Sequence, residues 1–190
     1  MTRKDPMAMA AVNLTGVLGA IPKLCMLDEP CKAVLAALRK PVSLCFSVKD
    51  GPCMTLRFSK DGCEAVPGDP DGGAKMTFPT PEAFNDLIDR SKPGFPARKP
   101  IRTLSFLAGP VSKITDRLSA CLRPTEQELA DPDFFEKNTL LTLHVVAGAV
   151  AALANTDPIA RISAANTVDG AVSLGADSLS LTELLNVYEG

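Results

Sequence analysis

The stretch VSLCFSVKDGPCMTLRFSKDGC, residues 42–63, decides the fold because its apolar residues alternate along two successive segments. The alternating positions are Val42, Leu44, Phe46 and Val48, then Met54, Leu56 and Phe58. A period of two places such residues on one face of a β-strand. The Asp-Gly pairs at residues 50–51 and 61–62 favour tight hairpin turns. The stretch therefore predicts a β-meander, extending to about Val66, whose apolar face covers either a closed core or a space for a ligand.

The composition indicates an ordinary globular protein. The chain has 190 residues, of which 46% are hydrophobic, so it can bury a substantial core. Twenty basic residues against 22 acidic ones leave a net charge of -2, which argues against nucleic acid as a partner. The six cysteines form no C-x-x-C pair, so we expect apolar filler in a reducing, cytoplasmic compartment and no metal site.

Two helices are predicted ahead of the meander. The first carries its apolar residues at helical spacing, at Leu14, Val17, Leu18 and Ile21. Polar residues interrupt the surrounding apolar run, which argues against an export signal. The second helix begins at Asp28-Glu29-Pro30, with Asp28 as the expected capping carboxylate, and ends before Pro41.

Two strand-to-helix units are predicted after the meander. In the first, Ala74, Met76 and Phe78 alternate in a fourth strand, and a helix then begins at Thr80-Pro81-Glu82. In the second, residues 101–107 alternate in a fifth strand, and the pattern does not decide which of its faces is buried. A helix then runs from Gly109-Pro110 to Arg123-Pro124.

The C-terminal part is predicted to hold the longest helix, beginning at Asp131-Pro132. Its segment Leu140–Ala154 is apolar on nearly every side but shorter than the roughly 20 residues that a membrane crossing needs. Such a helix must be covered by the rest of the fold or by a second subunit, so it is our candidate for a homodimer contact. Alternating residues between Val172 and Leu181 predict a terminal hairpin.

The sequence contains no recognisable catalytic signature. His144 is the one histidine, and no nucleophile elbow, phosphate-binding loop or zinc-binding helix motif is present. A basic cluster surrounds the proline-rich connector at residues 90–102, where it either attracts an anion or is simply solvated, and we favour the second interpretation. We therefore expect no enzyme, no catalytic residue, no cofactor and no metal.

Four strings in order carry a family resemblance: VKDGP, LRFSKDG, AKMTFPTPEAFNDLID and IRTLSFLAGPVSKITDRL. Between Val42 and Pro124 the chain resembles the sterol carrier protein type 2 family. The resemblance implies an α/β fold of the α+β type, with a five-stranded, mainly antiparallel sheet covered by helices on one face. It also implies an apolar tunnel between sheet and helices that accepts fatty-acyl chains, acyl-coenzyme A or sterol-like lipids.

The resemblance also implies which residues form the tunnel walls. They are Phe46, Leu56, Phe58, Met76 and Phe78 on the strands, and Phe84, Leu87, Ile88, Ile114 and Leu118 on the helices. Residues 1–124 are then a lipid-binding domain, and residues 125–190 are an extension packed on the same domain. The expected function is non-catalytic lipid carriage without stable membrane insertion. The alternative is a structural or regulatory dimerisation module with the same fold and a filled cavity.

Overall fold

The computed structural model describes residues 5–89, 104–156, 171–174 and 177–180. Within these ranges the chain forms six helices, a four-stranded sheet and a separate two-stranded hairpin. The helices are α1 (Pro6–Leu27), α2 (Glu29–Ala36), α3 (Pro81–Asp89), α4 (residues 104–122), α5 (Glu126–Leu129) and α6 (Pro132–Thr156). The strands are β1 (Val42–Val48), β2 (Cys53–Ser59), β3 (Gly62–Pro67), β4 (Ala74–Phe78), β5 (Ala171–Leu174) and β6 (Asp177–Ser180).

The meander is confirmed, and its apolar residues share one face of the sheet. The strand order is β3-β2-β1-β4, and β2 is antiparallel to both of its neighbours. Phe46 lies opposite Met54 on β2 and opposite Met76 on β4. Leu44 and Leu56, which also pair, are completely buried.

The prediction of five mainly antiparallel strands is only partly right. The sheet in the described residues has four strands, and β4 is parallel to β1. The expected fifth strand at residues 101–107 is wrong where it can be compared, because residues 104–107 belong to α4, while residues 101–103 lie outside the described residues. Leu107, at the end of the alternating run, recurs with Val111 and Ile114 at spacings of four and three, so it also fits the face of a helix.

Helix α1 lies at the centre of the fold. Asp5 caps its start by accepting a hydrogen bond from the Met7 N–H at 2.9 Å, and Pro6 occupies the first helical position. By length and composition α1 is apolar enough to cross a membrane, but 61% of that apolar window is buried inside the protein. It packs on α3, α4, α6 and β3, as the core helix of a globular fold does.

Helices α1 and α6 cross at backbone contact distance. Gly16 on α1 and Gly148 on α6 lie against each other at this crossing. A Cβ atom built on Gly148 would lie 2.7 Å from the carbonyl oxygen of Thr15, and one on Gly16 would lie 2.8 Å from that of Val145. Because neither glycine has a Cβ atom, the backbones of the two helices can come into contact here.

One side of α6 faces away from α1. Leu141 is fully buried and Ala152 nearly so, which accounts for the inner side of the apolar segment. The outer side exposes Phe135, Val146, Val150 and Leu153. The terminal hairpin is confirmed as β5 paired with β6, with Val172 opposite Leu179, while Leu181 lies outside the described residues.

Asp28 joins three helices through a buried ion-pair network. Its carboxylate is completely buried and accepts hydrogen bonds from Arg117 on α4 at 2.9 and 2.8 Å and from Lys137 on α6 at 2.7 Å. Asp28 occupies the N-cap position of α2 as predicted, but its side chain makes no cap hydrogen bond to that helix. Burial acts to raise the pKa of Asp28, but the hydrogen bonds from Arg117, Lys137 and Cys31 outweigh it and hold that pKa well below its usual range.

Candidate functional site

A cavity of about 550 Å³ lies between the sheet and helices α1, α3 and α4. Its apolar wall is formed by Val17, Leu18, Phe46, Met76, Leu87, Ile88, Leu107, Ala108, Val111, Leu118 and Leu122. Leu87 and Ile88 are partly exposed and Asp89 is exposed, so the cavity opens to solvent along α3. This volume falls within the roughly 300–1,000 Å³ that ligand pockets commonly enclose.

The strand register and the helical period explain why these residues meet. Phe46 and Met76 are direct neighbours on β1 and β4, so together they form the sheet side of the cavity. On α4, cavity-lining residues recur every three or four positions from Leu107 to Leu122. One face of α4 therefore borders the cavity over about 22 Å of helix length.

Two π-helical segments border the cavity from opposite helices. They are Asn13–Val17 in α1 and Leu107–Val111 in α4, and both end residues of each segment line the cavity. The second segment contains Pro110, which has no N–H to donate and so disturbs the helical hydrogen-bond pattern. Because π-helical turns occur frequently at functional sites, their placement is one reason to take this cavity as the candidate site.

Six polar residues interrupt the apolar wall, and two of them, Thr115 and Arg123, differ in their hydrogen bonds. They are Asn13, Asp89, Ser112, Thr115, Ser119 and Arg123. The Thr115 hydroxyl donates to the carbonyl of Ser112 at 3.0 Å. Arg123 is exposed and donates a long hydrogen bond of 3.4 Å to the carbonyl of Asp89. No carboxylate of the described residues forms an ion pair with Arg123.

Half of the predicted wall residues line this cavity. The five that do are Phe46, Met76, Leu87, Ile88 and Leu118. The other five, Leu56, Phe58, Phe78, Phe84 and Ile114, lie in the closed core with at most 1% of their surface exposed. Aromatic contacts close that region, since Phe78 packs edge to face on Phe84 at 5.2 Å and Phe58 does so on Phe106 at 5.3 Å.

Several wall residues were not predicted. Val17 and Leu18 lay on the apolar face of the first predicted helix, and that spacing was the available signal for them. Asn13 and Arg123 carried no comparable signal, because a polar residue beside a cavity looks the same in sequence as one on the surface.

The described residues offer little for covalent or metal chemistry. No three His, Cys, Asp or Glu side chains in the described parts of the chain are grouped to hold a metal ion. A hydrogen bond with Cys31 acts to lower the pKa of Cys25, but a hydrogen bond with Cys63 and burial raise it to about 12. A hydrogen bond with Cys25 and burial raise the pKa of Cys31 well above its usual range. These thiols are therefore poor nucleophiles at neutral pH.

Comparisons with known proteins give no match to a family model, to a curated protein or to a solved structure. The resemblance to sterol carrier proteins therefore stays a prediction that rests on the four quoted strings. Any function must be inferred from the cavity itself.

Proposed function

We propose that the protein binds a lipid reversibly, without catalysing its conversion, in the cavity between α1, α3, α4 and the sheet. The main support for this proposal is the cavity of about 550 Å³ with its predominantly apolar wall. Burying one methylene contributes about 0.8 kcal/mol, so ten buried carbons contribute about 8 kcal/mol before entropy losses. An acyl chain can therefore bind through its buried methylenes alone, without a special residue.

The proposed ligand class is a fatty acid, an acyl-coenzyme A or a sterol-like lipid. The apolar part of such a ligand lies along the α4 face, and an acidic head group, where present, pairs with Arg123 at the mouth. The proposal assigns no catalytic residue, cofactor or metal. It places the carrier in the cytoplasm, with no nucleic-acid partner and no stable membrane insertion.

Displacement of a fluorescent fatty acid from the purified protein tests the proposal, together with mass spectrometry of an organic extract. We expect saturable binding and displacement by unlabelled fatty acid. Absence of both co-purified lipid and saturable probe binding contradicts lipid carriage.

A variant that fills the cavity is expected to weaken this binding. In Ser119→Trp the indole occupies space along the α4 face and excludes part of the acyl chain. Excluding two methylenes costs about 1.6 kcal/mol, which is roughly a tenfold loss of affinity in the displacement titration. Lys113→Trp is the matched control, because Lys113 is exposed on α4 and does not line the cavity. Equal affinities for the two variants contradict this location.

A second candidate function, homodimerisation through α6, is favoured by the exposed apolar side of that helix. Phe135, Val146, Val150 and Leu153 are 39–54% exposed. Their spacing follows the helical period, and residues 138–156 contain no Asp, Glu, Lys or Arg. An uncharged face meets a second copy of itself without like-charge repulsion, so a second copy of this chain is the proposed partner.

Light scattering of the wild type and of a double variant, which combines Val146→Asp and Val150→Asp, tests the dimer. We expect a dimer mass for the wild type and half that mass for the double variant, because each aspartate would be buried without a partner. Aspartate at Val145 or Ala149 would not test the dimer, because both residues lie near Gly16 on the side of α6 that faces α1. A monomeric wild type contradicts the dimer without affecting the lipid proposal.

A further inference from the structure

Asn13 is a nearly buried polar residue in an otherwise apolar part of the cavity wall. Its surface is 6% exposed, and it begins the π-helical segment of α1 beside Val17 and Leu18. Burying an amide is costly unless its hydrogen-bonding atoms find partners, so the partners of Asn13 indicate what the cavity accepts.

A chain of hydrogen bonds fixes the orientation of the Asn13 amide. The Asn85 side-chain NH₂ donates to the carbonyl of Pro6 at 3.0 Å. A carbonyl can only accept, so the Asn85 oxygen must point the other way, toward Asn13. That oxygen accepts from the Asn13 NH₂ at 3.0 Å. The orientation of both amides therefore follows from the fixed Pro6 acceptor.

This chain leaves one group of Asn13 unused. Its NH₂ is engaged by Asn85, and the described residues donate no hydrogen bond to its side-chain oxygen Oδ1. Because Asn13 lines the cavity, Oδ1 is the side-chain group that this residue can offer to a bound molecule.

We infer that the cavity selects a lipid bearing a hydroxyl group, and that Asn13 Oδ1 accepts the hydrogen bond from this hydroxyl. The inference rests on the proposed lipid-binding function and makes Asn13 its specificity-determining residue. A ligand without a donor displaces water from Oδ1 and leaves the acceptor unpaired, which lowers its affinity.

An ionised fatty acid fits this position poorly, because a carboxylate accepts hydrogen bonds and cannot donate them. The carboxylate of a fatty acid instead fits beside Arg123. Asn13 bonds to Asn85 and Arg123 bonds to Asp89, and these two α3 residues lie four positions apart on one side of that helix. The cavity thus offers an acceptor and a cation along the same edge, and an alcohol uses the first.

Competition between two matched ligands tests the inference. A saturated long-chain primary alcohol and the methyl ether of the same alcohol each displace a fluorescent fatty acid from the full-length protein. We expect the wild type to prefer the alcohol roughly tenfold, since the ether lacks the donor. Equal displacement by both ligands in the wild type overturns the inference but leaves lipid binding intact.

Two variants assign the preference to Asn13. Asn13→Leu keeps the size of the side chain but removes the acceptor, and it should bring the alcohol and the ether to equal affinity. Ser47→Ala is the control, because it removes a polar group on β1 that does not line the cavity and should retain the preference. A preference that survives Asn13→Leu, or is lost in Ser47→Ala, overturns the assignment. Failure of every lipid to displace the probe refutes the proposed function itself.

Discussion

Asp28→Asn is expected to lower the free energy of unfolding by about 2–4 kcal/mol. The asparagine preserves the shape of the side chain but removes the charge that Arg117 and Lys137 share. Arg117 is 38% and Lys137 20% exposed, so water partly compensates both cations and the loss stays below that of a fully enclosed pair. Urea unfolding monitored by circular dichroism measures the difference.

The stability difference between the wild type and Asp28→Asn should become smaller in acid. Because the pKa of Asp28 is depressed in the folded state, its stabilising contribution is present above the ordinary aspartate pKa of about 3.9 and is lost as pH falls below it. The difference between wild type and Asp28→Asn should therefore be constant from pH 7 to about 5 and shrink below about pH 4.

Asp71→Asn is the matched control for this experiment. Asp71 also pairs with an arginine through two hydrogen bonds, at 2.9 and 2.7 Å to Arg57, but that pair lies at the surface. Its removal should therefore change stability much less than removal of the Asp28 charge. Equal losses in the two variants, or a difference for Asp28→Asn that persists unchanged at pH 3, contradict the structural role of Asp28.

Local patterns predicted the meander and most of the helices, whereas contacts between residues distant in sequence determined how these elements pack. The alternation from Val42 to Phe58 was enough for the meander, because neighbouring residues fix strand faces. Asp28 shows the limit. Its position before Glu29-Pro30 resembles a helix cap, but its partners are Arg117 and Lys137, 89 and 109 residues away. No local pattern reports such a pairing.

The cavity was harder to predict than the core around it. Met76 and Phe78 alternate on the same face of β4, and sequence treats them alike. Phe78 packs on Phe84 and closes the space, whereas Met76 beside Phe46 borders the cavity. Whether a side chain of this face lies in the core or at the cavity depends on how α3 and α4 approach the sheet. The parallel pairing of β4 with β1 depends on the same long-range arrangement.

Gly148→Val should destabilise the protein by about 3 kcal/mol, because the α1–α6 crossing has no room for a side chain. The Cβ alone would lie 2.7 Å from the Thr15 carbonyl oxygen and 2.9 Å from the Gly16 Cα. Both neighbours are backbone atoms, so relief requires the helices to separate. Urea unfolding gives the magnitude.

Gly19→Val supplies the comparison on α1 itself. A Cβ at Gly19 would meet its nearest neighbour, the Leu14 carbonyl oxygen, at an ordinary 3.8 Å. We expect this variant to change stability by less than about 1 kcal/mol, since helix propensity favours valine slightly over glycine. Similar losses for Gly19→Val and Gly148→Val would show that the helices do not touch at Gly148.

The crossing also links stability to ligand binding. Gly16 lies inside the π-helical segment Asn13–Val17, whose two end residues line the cavity. Helices forced apart at Gly148 move this segment relative to α3 and α4, so folded Gly148→Val should bind the fluorescent fatty acid more weakly than Gly19→Val does. Displacement titrations well below the unfolding midpoint separate this effect from loss of fold. Unchanged affinity in folded Gly148→Val would mean that the cavity wall keeps its shape without the close crossing.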